Sequence, residues 1–111
     1  MIEETLIKYL SSALSLSVYA EEPHKPPGEY LIVEKIGSSS ENYIESATIA
    51  IQSYSKTLCD AAKLNECVKS AMSDIVALPN ISSCKLNSDY NFTDTETKRY
   101  RYQAVYDIVY Y

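Results

Sequence analysis

Two stretches near the end of the chain alternate apolar and polar side chains, and this pattern limits the possible folds more than any other feature. In the stretch 100–110, tyrosine, alanine and isoleucine occupy every second position. The stretch 84–92 alternates in a similar way, and a short polar segment joins the two. Successive side chains of a strand point to opposite faces, so the pattern predicts a β-hairpin with one buried face. An isolated hairpin is only marginally stable in water, so the rest of the chain must cover that face.

The alternation also predicts the pairing register of this hairpin, because both apolar sets must lie on the same face. The preferred register pairs Lys85 with Asp107 and Tyr90 with Tyr102. It leaves a short tip, 95–97, between the two strands. A register shifted by two residues is the alternative.

Two other segments have the three- and four-residue apolar spacing of amphipathic helices. The first covers 2–14. The second and longer one covers 56–77, with Ser55 as its predicted N-cap and Pro79 after its end. The apolar stripe of the longer helix is expected to consist of Leu58, Ala61, Ala62, Leu64, Val68, Met72, Ile75 and Val76.

The region between the helices predicts strands that are separated by polar segments. Residues 15–19 lead into a short strand, and the proline-rich bend 21–28 cannot pair centrally in a sheet. The run 30–36 is apolar and rich in β-branched residues, which is typical of a central strand. A polar loop, 37–42, then joins it to a second long strand over 43–54.

The chain is therefore expected to form a single α+β domain over residues 1–111, with the element order α-β-β-β-α-β-β. Its length is that of one domain. A mixed or antiparallel sheet would carry both helices on one face. The residues expected in the core include Ile49, Val68, Tyr90, Tyr102, Ala104 and Tyr106.

Composition excludes several classes of function. The chain has two glycines, too few for a phosphate-binding loop or a dinucleotide fingerprint. Its net charge of −5 is opposite in sign to that of most electrostatic nucleic-acid binders. The only histidine, His24, lies in the proline-rich bend, and no sequence pattern places a base beside a nucleophile. We therefore expect no enzymatic activity, no cofactor and no metal site.

The cysteines and the N-terminal sequence indicate synthesis in the cytoplasm. An odd cysteine count without a secretory signal is typical of reduced thiols. Cys59, Cys67 and Cys84 are expected to be buried as small apolar side chains. No apolar run is long enough to span a membrane, so no membrane contact is expected.

Tyrosine dominates the aromatic residues, with 11 copies against one phenylalanine and no tryptophan. Its side chain is large, stiff and amphipathic, and it is enriched at protein interfaces. Most of these tyrosines are expected at the edges of the core. Tyr43, Tyr54, Tyr110 and Tyr111 lie near predicted strand ends or the chain end and are candidates for contacts between subunits.

The segment 98–102 alternates basic residues with tyrosines, a pattern with three interpretations. Single-stranded nucleic acid could stack on the tyrosines, an acidic protein surface could dock on the cations, or the charges could simply be solvated. The tyrosines and arginines of one strand point to opposite faces. A buried tyrosine face leaves no stacking surface, so the last two interpretations remain.

Two polar segments are candidates for an interface with other subunits or with a larger assembly, because loops on rigid scaffolds commonly carry binding function. The first is rich in serine, and the second carries both charge signs and precedes a basic strand residue. The candidate residues are Gly37, Ser38, Ser39, Ser40, Glu41, Asn42, Asp94, Glu96, Lys98, Arg99 and Arg101.

Five stretches of the chain resemble the small tail-terminator, or tail-completion, proteins of long-tailed bacteriophages and prophages. Together they cover much of the sequence and consist of strand and helix patterns rather than catalytic signatures. They are PPGEYLIVEK at 26–35, ATIAIQSY at 47–54, AAKLN at 61–65, LNSDYNFTD at 86–94 and KRYRYQAVYD at 98–107. The predicted element order also agrees with the α+β fold of that family.

The resemblance implies a structural protein of the virion tail or neck that forms a ring, usually of six subunits. The ring would cap the finished tail tube, stop its polymerisation and present a surface to the head–tail connector. Its partners would be other copies of itself, the tail-tube protein and the connector protein, while DNA passes through the ring without specific binding. The net negative charge suits such passage, because it repels phosphate. The family supplies no residue-level functional motif.

Two other functions remain open at this point. One is a different neck component, such as a head-completion or connector-adaptor protein of related fold. The other is a small monomeric binding module encoded by a prophage. Only the ring-forming proteins are expected to assemble.

Overall fold

The two helices and five strands follow one another in the predicted order α-β-β-β-α-β-β, which confirms the α+β class. The computed structural model describes residues 2–97 and 99–111. Within this part of the chain, no helix is long and apolar enough to cross a membrane. The elements are α1 (Ile2–Leu14), β1 (Val18–Tyr19), β2 (Tyr30–Glu41), β3 (Ile44–Ser55), α2 (Leu58–Ser73), a 3-10 turn (Ile75–Ala77), β4 (Ile81–Asn91) and β5 (Tyr100–Tyr110).

The five strands form one mixed sheet in the order β1-β2-β3-β5-β4. β1 is parallel to β2, and the other neighbours are antiparallel. The prediction that 30–36 is a central strand is wrong for most of its length. β1 pairs only with Leu31 and Ile32, so β2 forms an edge beyond that point, and β3 and β5 are the central strands.

Both helices pack on the same face of the sheet, as predicted. Tyr9 of α1 donates a hydrogen bond to the carbonyl of Ala71 in α2, with an O···O distance of 2.6 Å. Ile49, Val68, Ala104 and Tyr106 are buried there, as expected. The other large side chains of this core come from α1, β2, β3, α2 and β5 and include Leu6, Leu10, Leu31, Val33, Ile51, Met72 and Ile108.

The start and end of α2 differ from the prediction. Thr57, not Ser55, caps the helix: its side chain accepts a hydrogen bond from the backbone N–H of Asp60 at 3.1 Å. Ser55 instead ends β3. The α-helix stops at Ser73 and a 3-10 turn continues to Ala77. Because the helix starts later and tightens at its end, the predicted stripe residues Leu58 and Val76 are exposed.

Two register shifts divide the final hairpin into three registers, the first between Ile81 and Ser83 and the second, a β-bulge in β4, between Leu86 and Ser88. Lys85 pairs with Asp107, as predicted. The register then shifts between Leu86 and Ser88, and beyond the bulge Tyr90 pairs with Gln103. The predicted Tyr90–Tyr102 pair is therefore wrong. One extra residue in β4 reverses which face each later β4 side chain occupies, so Tyr90 leaves the helix face and is 42% exposed. Tyr102 keeps its face of β5, but it lies beside Asn91 instead of Tyr90 and is only half-buried.

The bulge also turns Asp89 towards α2. Its carboxylate accepts hydrogen bonds from the Asn65 side-chain amide at 3.0 Å and from the Lys69 ammonium at 3.1 Å. Asn65 is only 1% exposed, so Asp89 supplies an acceptor to a buried amide that has little access to water.

The predicted loop 37–42 is wrong, because β2 continues through this segment. Ser38, Ser39 and Ser40 pair with residues of β3, and the chain reverses at Asn42 and Tyr43. These two turn residues have positive φ angles of 51° and 67°, the pattern of a type I′ hairpin turn. Pairing with β3 satisfies backbone groups that a serine-rich loop would leave to water.

The expectation of three buried cysteines is wrong for two of them. Cys59 and Cys67 are exposed on α2, and Cys84 is half-buried. Burial raises the pKa of the Cys84 thiol to about 11.

Replacing Asp89 with alanine is expected to lower the free energy of unfolding by about 1–3 kcal/mol, because the buried Asn65 amide loses its acceptor. Urea unfolding measures this change. Glu66→Ala is the matched control, since it removes the exposed partner that lies 3.1 Å from Lys69 and should cost much less. Equal losses in the two variants would show that Asp89 does not stabilise the fold through Asn65.

Candidate functional site

The face of the sheet opposite the helices, here called the open face, is not covered by any helix in the described part of the chain. Both helices share one core with the other face. The open face consists of side chains from β2, β3, β5 and the part of β4 that follows the bulge after Leu86. They include Tyr30, Ile32, Gln52, Tyr54, Tyr90, Arg101, Gln103 and Val105.

An aromatic–arginine cluster, formed by Tyr30, Tyr54, Arg99 and Arg101, occupies one end of the open face. The Tyr30 and Tyr54 rings stack with centroids 4.6 Å apart, and Tyr19 meets Tyr30 edge-on. The Arg99 and Arg101 guanidinium carbons lie 5.1 and 5.6 Å from the centroid of the Tyr54 ring. Cation–π contacts of this kind hold the arginines against the sheet.

A chain of hydrogen bonds crosses the middle of the open face. Gln52 donates from its amide to the Gln103 side-chain oxygen at 2.9 Å, and Gln103 donates to the Tyr90 hydroxyl at 2.6 Å. The Tyr54 hydroxyl donates to the Gln52 oxygen at 3.2 Å. Both glutamines are buried, so their amides are satisfied by neighbours rather than by water.

The first predicted interface segment lies in an exposed hairpin. All residues of the segment Gly37, Ser38, Ser39, Ser40, Glu41 and Asn42 are exposed. The Ser39 and Ser46 hydroxyls are 2.6 Å apart, and Ser40 donates to Glu45 at 3.3 Å. At the turn, Tyr43 is 96% exposed.

The second predicted segment forms the tip between β4 and β5. The Asp94 side chain accepts hydrogen bonds from the backbone N–H groups of Glu96 and Thr97. Hydrogen bonds from Thr97 and Glu96 hold the pKa of the Asp94 carboxyl below its usual value. Lys98 lies outside the described residues.

Arg99 forms an ion pair and a hydrogen bond within its own chain. Its guanidinium pairs with Glu22 of the proline-rich bend and donates to the Tyr30 hydroxyl. Tyr30 in turn donates to Glu22 at 2.8 Å. The hydrogen bond to Glu22 raises the pKa of Arg99, and burial, followed by the Glu22 bond, raises the pKa of Tyr30. Arg99 therefore links the proline-rich bend to the tip between β4 and β5.

The neighbouring Arg101 also contacts groups of its own chain. It donates to the Tyr54 hydroxyl at 2.7 Å and to the carbonyl of Phe92 at 2.7 Å. Its guanidinium lies 4.4 Å from the Phe92 ring. These contacting groups are neutral, and Arg101 forms no salt bridge within the described residues, although its charge acts on the Asp94 carboxylate and helps to lower the pKa of that group.

The proline-rich bend and the end of β3 enclose a small open pocket, here called the bend pocket, of about 210 Å³. Exposed Lys56 stands at its side. Tyr30 and Tyr54 line it, although they are only 3% and 5% exposed, so it rests on packed aromatic rings. The remaining lining residues include Pro26, Pro27, Arg99 and Tyr100.

The structure places the two predicted interface segments at opposite ends of the sheet. The turn at Asn42 and Tyr43 precedes β3, whereas Tyr54 at the other end of β3 contacts Arg99 and Arg101. Sequence reasoning identified Tyr43 and Tyr54 but missed the roles of Glu22, Tyr30 and Lys56. The signals for this site in the sequence were the excess of tyrosine and the polarity around Arg99 and Arg101.

His24 is exposed in the proline-rich bend, and no three acidic, histidine or cysteine side chains lie close enough together in the described part to hold a metal ion. A scan against models of known protein families finds no match, and neither does a search of curated proteins.

Replacing Arg99 with alanine is expected to lower the free energy of unfolding by about 1 kcal/mol. The exposed pair with Glu22 contributes little, but the Tyr30 hydroxyl loses a partner in a partly buried site. Thermal or urea unfolding at low and high salt measures the change. Glu96→Ala is the control, because Glu96 is exposed and contributes only its backbone N–H to the tip. A loss no greater than in this control would show that Arg99 does not fasten the bend.

Proposed function

We propose that this chain is one subunit of a ring, six subunits around, that caps the tail tube of a long-tailed bacteriophage or prophage. The ring ends tube polymerisation and forms the surface on which the head–tail connector joins. The observation that carries the proposal is the element order α-β-β-β-α-β-β, which agrees with the terminators that five stretches of the sequence resemble.

The two ends of the sheet favour assembly into a ring. A closed ring needs two different, complementary patches on each subunit, because every contact is head to tail. One end carries the exposed β2–β3 hairpin, and the other carries the aromatic–arginine cluster and the bend pocket. A head-to-tail contact between ring subunits requires two different surfaces of this kind.

Charge supports a ring through which DNA passes without binding. The chain has a net charge of −5, which repels phosphate. Arg99 is paired with Glu22, and Arg101 lies against the Tyr54 and Phe92 rings. Arginines engaged in this way cover the rings on which bases would stack. In this proposal the protein is not an enzyme and resides in the virion tail or neck.

The test uses tail tubes assembled without this protein, taken from the phage or prophage whose genome encodes the chain. After the purified chain is added, negative-stain electron microscopy is expected to show a ring on one end of each tube. His24→Ala is the control and should cap equally well, because no chemistry is assigned to this exposed side chain. Binding to the head connector but not to tubes would favour the connector-adaptor alternative. Binding to neither would contradict the proposal.

A further inference from the structure

The turn between β2 and β3 carries a large aromatic side chain that is almost fully exposed. Tyr43 is 96% exposed, and its φ angle of 67° lies in the left-handed region. At this position of a type I′ turn glycine is preferred, and a bulky residue there is an outlier with a conformational cost. Backbone strain of this kind is concentrated at functional sites.

The charged residues on both sides of the β2–β3 turn are acidic. Glu41 and Glu45 flank the turn and are the only charged residues in 36–55. The tip, defined here as residues 41–45, thus presents one tyrosine between two carboxylates. Tyrosine is among the residues that most often anchor protein interfaces.

The bend pocket at the other end of the sheet has the complementary chemistry. It is lined by prolines and tyrosines. Lys56 also lines the pocket and forms no salt bridge within the described residues, in contrast to Arg99, which pairs with Glu22. Arg101 donates to the hydroxyl of the lining residue Tyr54, and it also forms no salt bridge there, although its charge acts on Asp94. The pocket therefore offers an aromatic recess with Lys56 at its wall and Arg101 beside it.

The tip cannot reach the bend pocket of its own chain. β3 has twelve residues, which at about 3.3 Å per residue separate its ends by roughly 36 Å. A contact between the two must therefore join different molecules.

We infer that the 41–45 tip of one copy docks in the bend pocket of a second copy, with Tyr43 inserted and Glu41 and Glu45 facing Lys56 and Arg101. The contact is head to tail, so it propagates around a ring. It deepens the proposed function, on which its role as the joint between ring subunits rests. The contact itself requires no tail tube and is tested with the purified chain alone.

Sedimentation velocity over concentrations up to about 1 mM measures the self-association. The wild-type chain is expected to associate as its concentration rises. Tyr43→Gly is expected to weaken association at least about tenfold, as for other tyrosine anchors. Its thermal midpoint should be unchanged or higher, because Asn-Gly is a favoured type I′ turn. Loss of assembly without loss of stability separates docking from folding.

A matched pair of variants tests the pocket and the direction of the contact. Lys56→Glu should also weaken association. An equimolar mixture of Tyr43→Gly and Lys56→Glu should form dimers and nothing larger, because one copy keeps an intact pocket and the other an intact tip. Val76→Ala, which shortens another exposed apolar side chain, should associate like the wild type.

Three results would overturn the inference. They are a wild-type chain that stays monomeric up to about 1 mM, a Tyr43→Gly variant that associates normally, or a mixture that yields no dimer. Self-association of the predicted kind without capping of tail tubes would leave this contact standing and remove the proposed function instead.

Discussion

The placement of both helices on one side of the sheet is the constraint on which the rest of this structure depends. The opposite face must then be stabilised by its own side chains. Stacked tyrosines, buried glutamines and arginines lying over aromatic rings accomplish this. Tyrosine suits the task, because its ring supplies apolar area while its hydroxyl finds partners at the wet edge. Tyr30, Tyr54 and Tyr90 fill this role on the open face.

Much of this fold could be predicted from periodicity, since burial on one face determines where apolar residues recur. α1 occupies the predicted residues, the helices share one face, and the final hairpin has the predicted register over 83–86 of β4. The bulge after Leu86 could not be predicted, because the alternation argument assumes an unbroken ladder. Tyr90 and Asp89 exchanged faces as a result, and the buried amide of Asn65 gained its acceptor.

The candidate site was predictable in its parts but not in its arrangement. Polarity drew attention to 37–42 and to Arg99 and Arg101. The serine-rich segment is a strand, because β3 supplies its backbone partners, a tertiary effect that local composition does not encode. Likewise, the pairing of Arg99 with Glu22 joins residues that are distant in sequence. The sequence of the proline-rich bend does not indicate that Glu22 pairs with Arg99, because only the folded sheet places the β4–β5 tip beside the bend.

The two ends of this sheet are chemically different: one carries the exposed turn at Asn42 and Tyr43, and the other carries the buried Tyr30 and Tyr54 rings. The central proposal is that the chain ends the growth of a tail tube. The most direct measurement is the length distribution of tubes that polymerise from the cognate tail-tube protein, followed over time with and without this chain. The account predicts that tubes stop lengthening once the chain is added and that it is found only at their ends. Tubes that continue to grow at the same rate in its presence would contradict it.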